Sequence, residues 1–204
     1  MTITPYERTI QGAPTILVLG DSTGYGTGAS KNTDTIAGRI GTDFTSYSIA
    51  NKSKNGRTIG ELVEVAKNLE GEYELILLQI GGNDILQQKD VYEVEKQLQE
   101  IIRALSDNTN NLLMMSSGNV GGASAFRDDE AVFYESLTRT YREMFLRVAT
   151  NTELTYIDLF LEPEVDSISK NPKKYLAIDG LHPSSEGYGV WYVTLKPTLE
   201  EILK

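Results

Sequence analysis

The stretch TILVLGDSTGYG, residues 15–26, contains the strongest indication of the fold class. Residues 15–19 form a short apolar run that ends at Gly20, as expected for a strand buried on both faces. Ser22 follows two residues after this strand, in a segment rich in glycine. Strands buried on both faces are typical of parallel sheets covered by helices, so this stretch predicts the first strand of such a sheet.

The rest of the chain alternates short apolar runs with longer amphipathic segments. Further strands are predicted over residues 46–50, 75–80, 111–116 and 154–157. Helices are predicted over residues 34–40, 58–69, 91–105, 128–150 and 185–203. This alternation predicts an α/β fold with a parallel sheet and helices on both faces, and ligands bind such sheets beyond the carboxyl ends of the strands. We find no repeat, low-complexity tract or linker, so residues 1–204 are interpreted as one domain.

Composition excludes several classes of function. The net charge is −10, with 29 acidic and 19 basic residues, and a surface of that sign repels nucleic-acid backbones. No apolar run is long enough to cross a bilayer, so stable membrane insertion is not expected. The chain has no cysteine and a single histidine, His182. Disulfides, thiolate ligands and zinc sites built on several histidines are therefore excluded.

Residues 1–14 lack the apolar stretch of a secretory signal. The chain as written is therefore expected to be cytoplasmic. A native start that carried a removed signal or anchor would make it periplasmic or exported. The oligomeric state is left open by the sequence.

Ser22 has three interpretations. A serine on a tight turn after a buried strand presents a hydroxyl nucleophile and a backbone N–H donor to the same crevice. Ser22 is alternatively the cap of a following helix, a common role for serine. The segment STGYGT, residues 22–27, also resembles the phosphate loop of flavodoxins, which would make the chain a flavin- or phosphate-binding module.

Two later segments add chemical groups that a flavin site does not require. IGGND, residues 80–84, follows a predicted strand, and the Asn83 amide can donate hydrogen bonds without titrating. In IDGLHPSSEGY, residues 178–188, Asp179 and His182 are three positions apart, a spacing that places both side chains on one side of a turn. There the carboxylate can orient the imidazole and stabilise its charged form. These groups favour an enzyme.

Together these motifs resemble the GDSL-type, or SGNH, hydrolase family. The matching segments are GDS at residues 20–22, GGND at residues 81–84 and DGLHP at residues 179–183. The family also has a glycine after the second strand, for which Gly56 is the best match and Gly60 the other candidate. Thr23 departs from the leucine in the family's name.

The resemblance implies a role for each matching residue. Ser22 would be the nucleophile, His182 the base and Asp179 its orienting carboxylate, with no metal or organic cofactor. The N–H groups of Ser22 and Gly56 and the Asn83 amide would form the oxyanion hole. The implied fold is a flavodoxin-like three-layer α/β/α arrangement with a five-stranded parallel sheet.

The implied activity is hydrolysis of a small-molecule acyl ester through an acyl-enzyme intermediate. Short- to medium-chain esters, thioesters and lysophospholipid-like substrates are all compatible with the triad, as are an acyltransferase and a carbohydrate O-acetylesterase. The irregular segments 117–129 and 160–177 are expected to form the pocket walls, and Val120 and Phe126 are expected to contact the substrate.

Overall fold

The computed structural model of the chain describes residues 3–203. Five strands form its central sheet: β1 (Thr15–Gly20), β2 (Ser48–Asn51), β3 (Leu75–Gln79), β4 (Leu112–Met115) and β5 (Leu154–Ile157). Their order is β2-β1-β3-β4-β5, and every neighbouring pair is parallel. The predicted five-stranded parallel sheet is therefore confirmed.

Helices connect successive strands and cover the sheet. They are α1 (Ser22–Tyr25), α2 (Ile36–Asp43), α3 (Ile59–Lys67), α4 (Gly82–Leu86), α5 (Val91–Leu105), α6 (Asp128–Thr150), α7 (Ser167–Lys170), α8 (Pro172–Tyr175) and α9 (Ser185–Ile202). Single 3₁₀ turns occupy Asn32–Asp34 and Val120–Gly122. Within residues 3–203, no helix is both long enough and apolar enough to cross a lipid bilayer.

The sheet separates two hydrophobic cores. Leu17 and Leu19 of β1 point into a core shared with α3, α5 and α6, whereas Ile16 and Val18 point into a core shared with α2 and α9. Successive side chains of a strand point to opposite faces, so a strand covered on both faces must be apolar throughout. This requirement explains why the run at residues 15–19 does not alternate between apolar and polar residues.

The strand order creates a crevice at one edge of the sheet. From β1 the chain passes to β2 on one side, and later to β3 on the other side. The helices that follow β1 and β3 therefore diverge, and the carboxyl ends of the two strands lie together, with Gly20 opposite Gln79. Ser22 follows β1 and Asn83 follows β3, so both lie beside this crevice.

Several predicted boundaries differ from the structure. The helix predicted over residues 34–40 begins at Ile36, because the Thr35 side chain accepts the N–H of Gly38 and caps the helix there. The strand predicted over 46–50 is Ser48–Asn51. Helices α1, α4, α7 and α8 were not predicted, because each has only four or five residues and none shows a full amphipathic repeat.

Candidate active site

Ser22 is the first residue of α1, directly after β1. The residue that caps this helix is Asp21, whose carboxylate accepts the backbone N–H and the hydroxyl of Thr23, each at 2.8 Å. The interpretation of Ser22 as the helix cap is therefore wrong. Because Asp21 occupies that role, the Ser22 hydroxyl is available to a partner from elsewhere in the chain.

That partner is His182. The distance from His182 Nε2 to Ser22 Oγ is 2.8 Å, and the distance from His182 Nδ1 to Asp179 Oδ2 is also 2.8 Å. With its proton on Nδ1, the ring donates to Asp179 and accepts the Ser22 hydroxyl proton at Nε2. Three side chains from the two ends of the chain thus form one continuous hydrogen-bonded line.

A tight turn holds Asp179 and His182 in this arrangement. Asp179 Oδ1 accepts the backbone N–H groups of Leu181 and His182, at 2.9 and 3.0 Å. Gly180 between them has φ +69°, in the left-handed region that glycine adopts without strain. Burial raises the pKa of Asp179, but the N–H donors and the His182 ring outweigh it and hold that pKa below its ordinary value. The carboxylate is therefore charged near neutral pH.

Asn83 lines the same cavity as Ser22 and lies in the first turn of α4. Gly81, just before this helix, has φ +115°, which lets the chain turn sharply out of the sheet edge. The Asn83 amide donates to the backbone oxygen of Arg57 at 3.1 Å, and this bond orients the amide. Its NH₂ group carries two hydrogens, so a second one remains for a ligand.

The two glycine candidates occupy different places. Gly56 lines the same cavity as Ser22 and Asn83. Gly60 lies inside α3 and packs against Gln97 of α5, where an added Cβ would come within 2.9 Å of the Gln97 amide oxygen. The structure therefore brings Gly56, and not Gly60, to the cavity.

These groups face a cavity of about 340 Å³ at the carboxyl edge of the sheet. Most of its lining is apolar, from Leu86, Val120, Leu159, Ile168, Leu176 and Trp191. Two carboxylates also line it, those of Asp21 and Asp166. Within residues 3–203, no lysine or arginine contributes to this lining.

Only part of the expected pocket wall is present. Val120 lines the cavity, as do other residues of the segment 117–123. Phe126 does not: its ring stacks on Tyr134 at 4.6 Å and packs against the core beneath α6. Of the segment 160–177, the cavity is lined by Asp166, Ile168 and Leu176. The expectation for Phe126 as a substrate contact is therefore not met by the structure.

Comparison with known proteins assigns the family. Residues 18–190 match the model of the GDSL-like lipase/acylhydrolase family. The chain belongs to this family. It is therefore a serine ester hydrolase with the SGNH α/β fold, and the resemblance seen in its motifs is confirmed. No curated protein sequence is significantly similar to the chain.

Solved structures share the fold of this GDSL-family hydrolase at low sequence identity. A lipolytic protein of the G-D-S-L family from Veillonella parvula is 17% identical, with a TM-score of 0.73 over 91% of this chain and 98% of that one. The psychrotrophic esterase EstA from Pseudoalteromonas sp. is 16% identical, with a TM-score of 0.67 over 93% and 98%. An acetyl xylan esterase is 16% identical, with a TM-score of 0.68 over 91% and 99%.

Family membership also bears on the flavin alternative. In a flavin-binding module the contact between His182 and Ser22 would have no function, whereas the matched family is one of acylhydrolases.

Thr23, which replaces the leucine of the family's name, donates its hydroxyl to Asp21 and so helps to fix the turn that carries Ser22. Within residues 3–203, no group of three or more His, Cys, Asp or Glu side chains is placed to hold a metal ion.

Among the cavity residues of this GDSL-family hydrolase, sequence reasoning missed Trp191 and did not single out Asp166 within the expected wall segment 160–177. Trp191, the only tryptophan of the chain, lies in α9 and lines the cavity. Its place on the helix that follows the Asp179–His182 motif was the available signal. Asp166 is 8% exposed and caps α7 through the N–H groups of Ile168 and Ser169. No motif marks it, because a capping aspartate is common at any helix start.

A buried carboxylate next to the site predicts a pH-dependent stability. Burial raises the pKa of Asp84 from its ordinary value of 3.8 to about 6, and the negative charge of Asp21 also raises it. The folded state then binds the proton of Asp84 more tightly than the unfolded state does. Proton binding at Asp84 therefore contributes most to the free energy of unfolding below pH 3.8, and this contribution is lost as the pH rises through about 6. The rise in pKa corresponds to up to about 3 kcal/mol.

Asp84→Asn removes this titration and provides the comparison. We expect wild type to lose up to about 3 kcal/mol of unfolding free energy relative to Asp84→Asn between about pH 4 and about pH 7. Denaturant unfolding of both proteins at the two pH values measures the difference. A difference that is the same at both would contradict a raised pKa of Asp84.

Proposed function

We propose that this chain hydrolyses neutral carboxylic esters with short- to medium-chain acyl groups, through an acyl-enzyme intermediate on Ser22. The observation that carries the proposal is the pair of 2.8 Å contacts joining Ser22 Oγ, His182 and Asp179. His182 is the only histidine of the chain, so any imidazole base must be this residue.

In the first half of the reaction, Ser22 Oγ attacks the ester carbonyl while His182 Nε2 takes its proton. The carbonyl oxygen becomes an oxyanion, for which the donors are the N–H groups of Ser22 and Gly56 and the free hydrogen of the Asn83 amide. The tetrahedral intermediate then expels the alcohol, which takes the proton from His182. The acyl group remains on Ser22 as an ester.

Water completes the cycle. His182 takes a proton from the water that attacks the acyl-Ser22 ester, and the same donors stabilise the second oxyanion. Collapse of this intermediate releases the carboxylic acid and returns the proton to Ser22 Oγ. Throughout, Asp179 fixes the His182 tautomer and stabilises the imidazolium when it forms.

Exposure of the base favours water as the acyl acceptor. The His182 side chain is 20% exposed and lines the open cavity that also contains Ser22, so solvent water has access to the base. An acyltransferase instead has to exclude water from the acyl-enzyme. This exposure supports hydrolysis over transfer to an alcohol or a sugar.

The cavity supports a limited range of substrates. An apolar lining around about 340 Å³ suits a short or medium acyl chain, which gains free energy by leaving water. The carboxylates of Asp21 and Asp166 disfavour an anion in the cavity, and no lysine or arginine among residues 3–203 lines it. Among esters, thioesters and lysophospholipid-like compounds, those without a phosphate near the scissile bond therefore fit best.

We further propose that residues 1–204 form one catalytic domain. The two hydrophobic cores lie on opposite faces of the same sheet, and the triad combines residues from near both ends of the chain. The family match over residues 18–190 supports the same organisation.

An ester panel tests the substrate class. We expect kcat/KM to be highest for the acetyl to octanoyl members of a p-nitrophenyl ester series and to fall steeply for palmitate, because the cavity limits the chain that it can bury. Acetate esters of matched neutral and phosphate-bearing alcohols test the charge preference, with the neutral ester expected to be the better substrate.

Ser22→Ala serves as the blank for every member of the panel. Turnover no faster than this blank for all esters would reject the proposed function. Fastest turnover of palmitate, or of the phosphate-bearing ester, would reject the substrate class and leave ester hydrolysis standing.

A further inference from the structure

Asp84 follows Asn83 in α4, and its side chain contacts α3. It is 1% exposed, and its two carboxylate oxygens lie 3.1 and 3.0 Å from the backbone nitrogen of Ile59. Ile59 is the first residue of α3. A buried carboxylate is thus hydrogen-bonded to the start of a helix that follows a cavity-lining segment.

Two consecutive residues of α4 form hydrogen bonds with the backbone just after Gly56. Asn83 donates to the backbone oxygen of Arg57, and Asp84 accepts the backbone N–H of Ile59. These two bonds lie on either side of Thr58, close after Gly56. The segment that carries the Gly56 N–H is therefore attached to the same helix that carries the Asn83 amide.

Helix α4 is itself held in place by a contact with α6. The hydroxyl of Tyr141, which is completely buried in α6, lies 3.2 Å from the backbone oxygen of Asp84 and 2.6 Å from that of Lys89. The α6 core thus supports α4, and α4 supports the segment at Gly56. A connected series of contacts of this kind can hold two donors at a constant separation.

The capping box of α3 leaves the N–H of Ile59 to Asp84. Thr58 already caps this helix, because its side chain accepts the N–H of Glu61 while the Glu61 side chain accepts the N–H of Thr58. Burial also disfavours the charged form of a carboxylate, which raises the pKa of Asp84. The bonds to the Ile59 N–H offset part of this cost, and they join α4 to the start of α3.

We propose that Asp84 is a positioning residue, which sets the location of the Gly56 N–H relative to the Asn83 amide and thereby assembles the oxyanion hole. The inference rests on the proposed function, since it concerns donors to the oxyanion formed on attack by Ser22. Asp84 itself contacts no reacting atom. Its effect is on the geometry of the two donors.

Three substitutions at Asp84 test the inference. Asp84→Ala removes the acceptor, Asp84→Leu removes it while keeping the volume filled, and Asp84→Asn keeps a side-chain oxygen of the same reach. We expect the alanine and leucine variants to lower kcat for p-nitrophenyl acetate by roughly 10²-fold, the cost of a misplaced catalytic group. KM should change little, because the donors act mainly on the transition state. Asp84→Asn should recover most of kcat.

Asp90→Ala is the matched control. Asp90 is also a carboxylate at a helix start, where it accepts the N–H groups of Tyr92 and Glu93 in α5, but it does not line the cavity. Its loss should lower Tm without changing kcat. An equal loss of kcat in Asp90→Ala would assign the effect to stability and overturn the inference.

The remaining outcomes are also decisive. Full kcat in a folded Asp84→Ala or Asp84→Leu variant would overturn the inference, and failure of both to fold would assign Asp84 to stability and overturn it as well. Turnover retained by Ser22→Ala would instead reject the proposed function. Turnover that depends on Ser22 but is unchanged in the Asp84 variants would reject only the role of Asp84.

Discussion

Ser22→Ala is expected to lower kcat for p-nitrophenyl acetate by roughly 10⁶-fold, the scale on which a serine nucleophile contributes. The variant keeps the oxyanion donors and the cavity but has no oxygen at 2.8 Å from His182 Nε2. Without this oxygen no acyl-enzyme forms, and only slow attack by water remains. Steady-state kinetics measures the loss, and circular dichroism checks that the fold is retained.

A fluorophosphonate label tests the same assignment without reference to the natural substrate. Wild type should react at one serine, and mass spectrometry should place the label on the peptide that contains Ser22. Ser136→Ala, which replaces an exposed serine of α6, should label as fast as wild type. Labelling of Ser22→Ala at the wild-type rate would show that another residue is the nucleophile.

Asn83→Ala is expected to lower kcat by roughly 10²–10³, the cost of removing one oxyanion donor, with a small change in KM. The Asn83 amide is oriented by its bond to the backbone oxygen of Arg57, so its second hydrogen is already directed when the oxyanion forms. Kinetics with p-nitrophenyl acetate separates kcat from KM. Asn83→Asp should be impaired at least as much, because it places a negative charge beside the developing oxyanion.

A second asparagine provides the control. Asn55 also lines the cavity, but its side-chain oxygen accepts the Thr27 hydroxyl at 3.0 Å, and it is not placed among the proposed donors. Asn55→Ala should therefore have a much smaller effect on kcat. Equal losses in Asn83→Ala and Asn55→Ala would count against a specific role for Asn83.

Much of the fold could be predicted because the burial of each strand appears directly in its composition. The runs at residues 15–19 and 75–80 are apolar at almost every position, the buried Gln79 being the main exception in the second run, and both strands are largely buried. The helices α5 and α6 begin and end where they were predicted, Val91–Leu105 from its apolar face and Asp128–Thr150 from the acidic residues at its start. The short helices had no such signal, since their side chains are placed by contacts with other segments.

The residues of the candidate site were also predicted only in part. Ser22, Asn83, Asp179 and His182 were identified because each combines a chemical group with the turn that presents it, and turns have their own residue requirements. The walls of the cavity need only apolar surface, which many residues supply from any segment. Phe126 was accordingly expected at the wall but stacks on Tyr134, while Trp191 lines the wall without having been expected.

From the sequence alone, the fold class, the family resemblance and the candidate reactive groups could be predicted, because strand burial and the turn motifs depend on neighbouring residues. The three-dimensional structure was needed to show that Gly56 and not Gly60 lines the cavity, and that Asp21 caps the helix of Ser22. It also revealed the bond from Asp84 to Ile59, which joins residues 25 positions apart. Contacts between distant segments depend on how the whole chain packs, and no local pattern of residues encodes them.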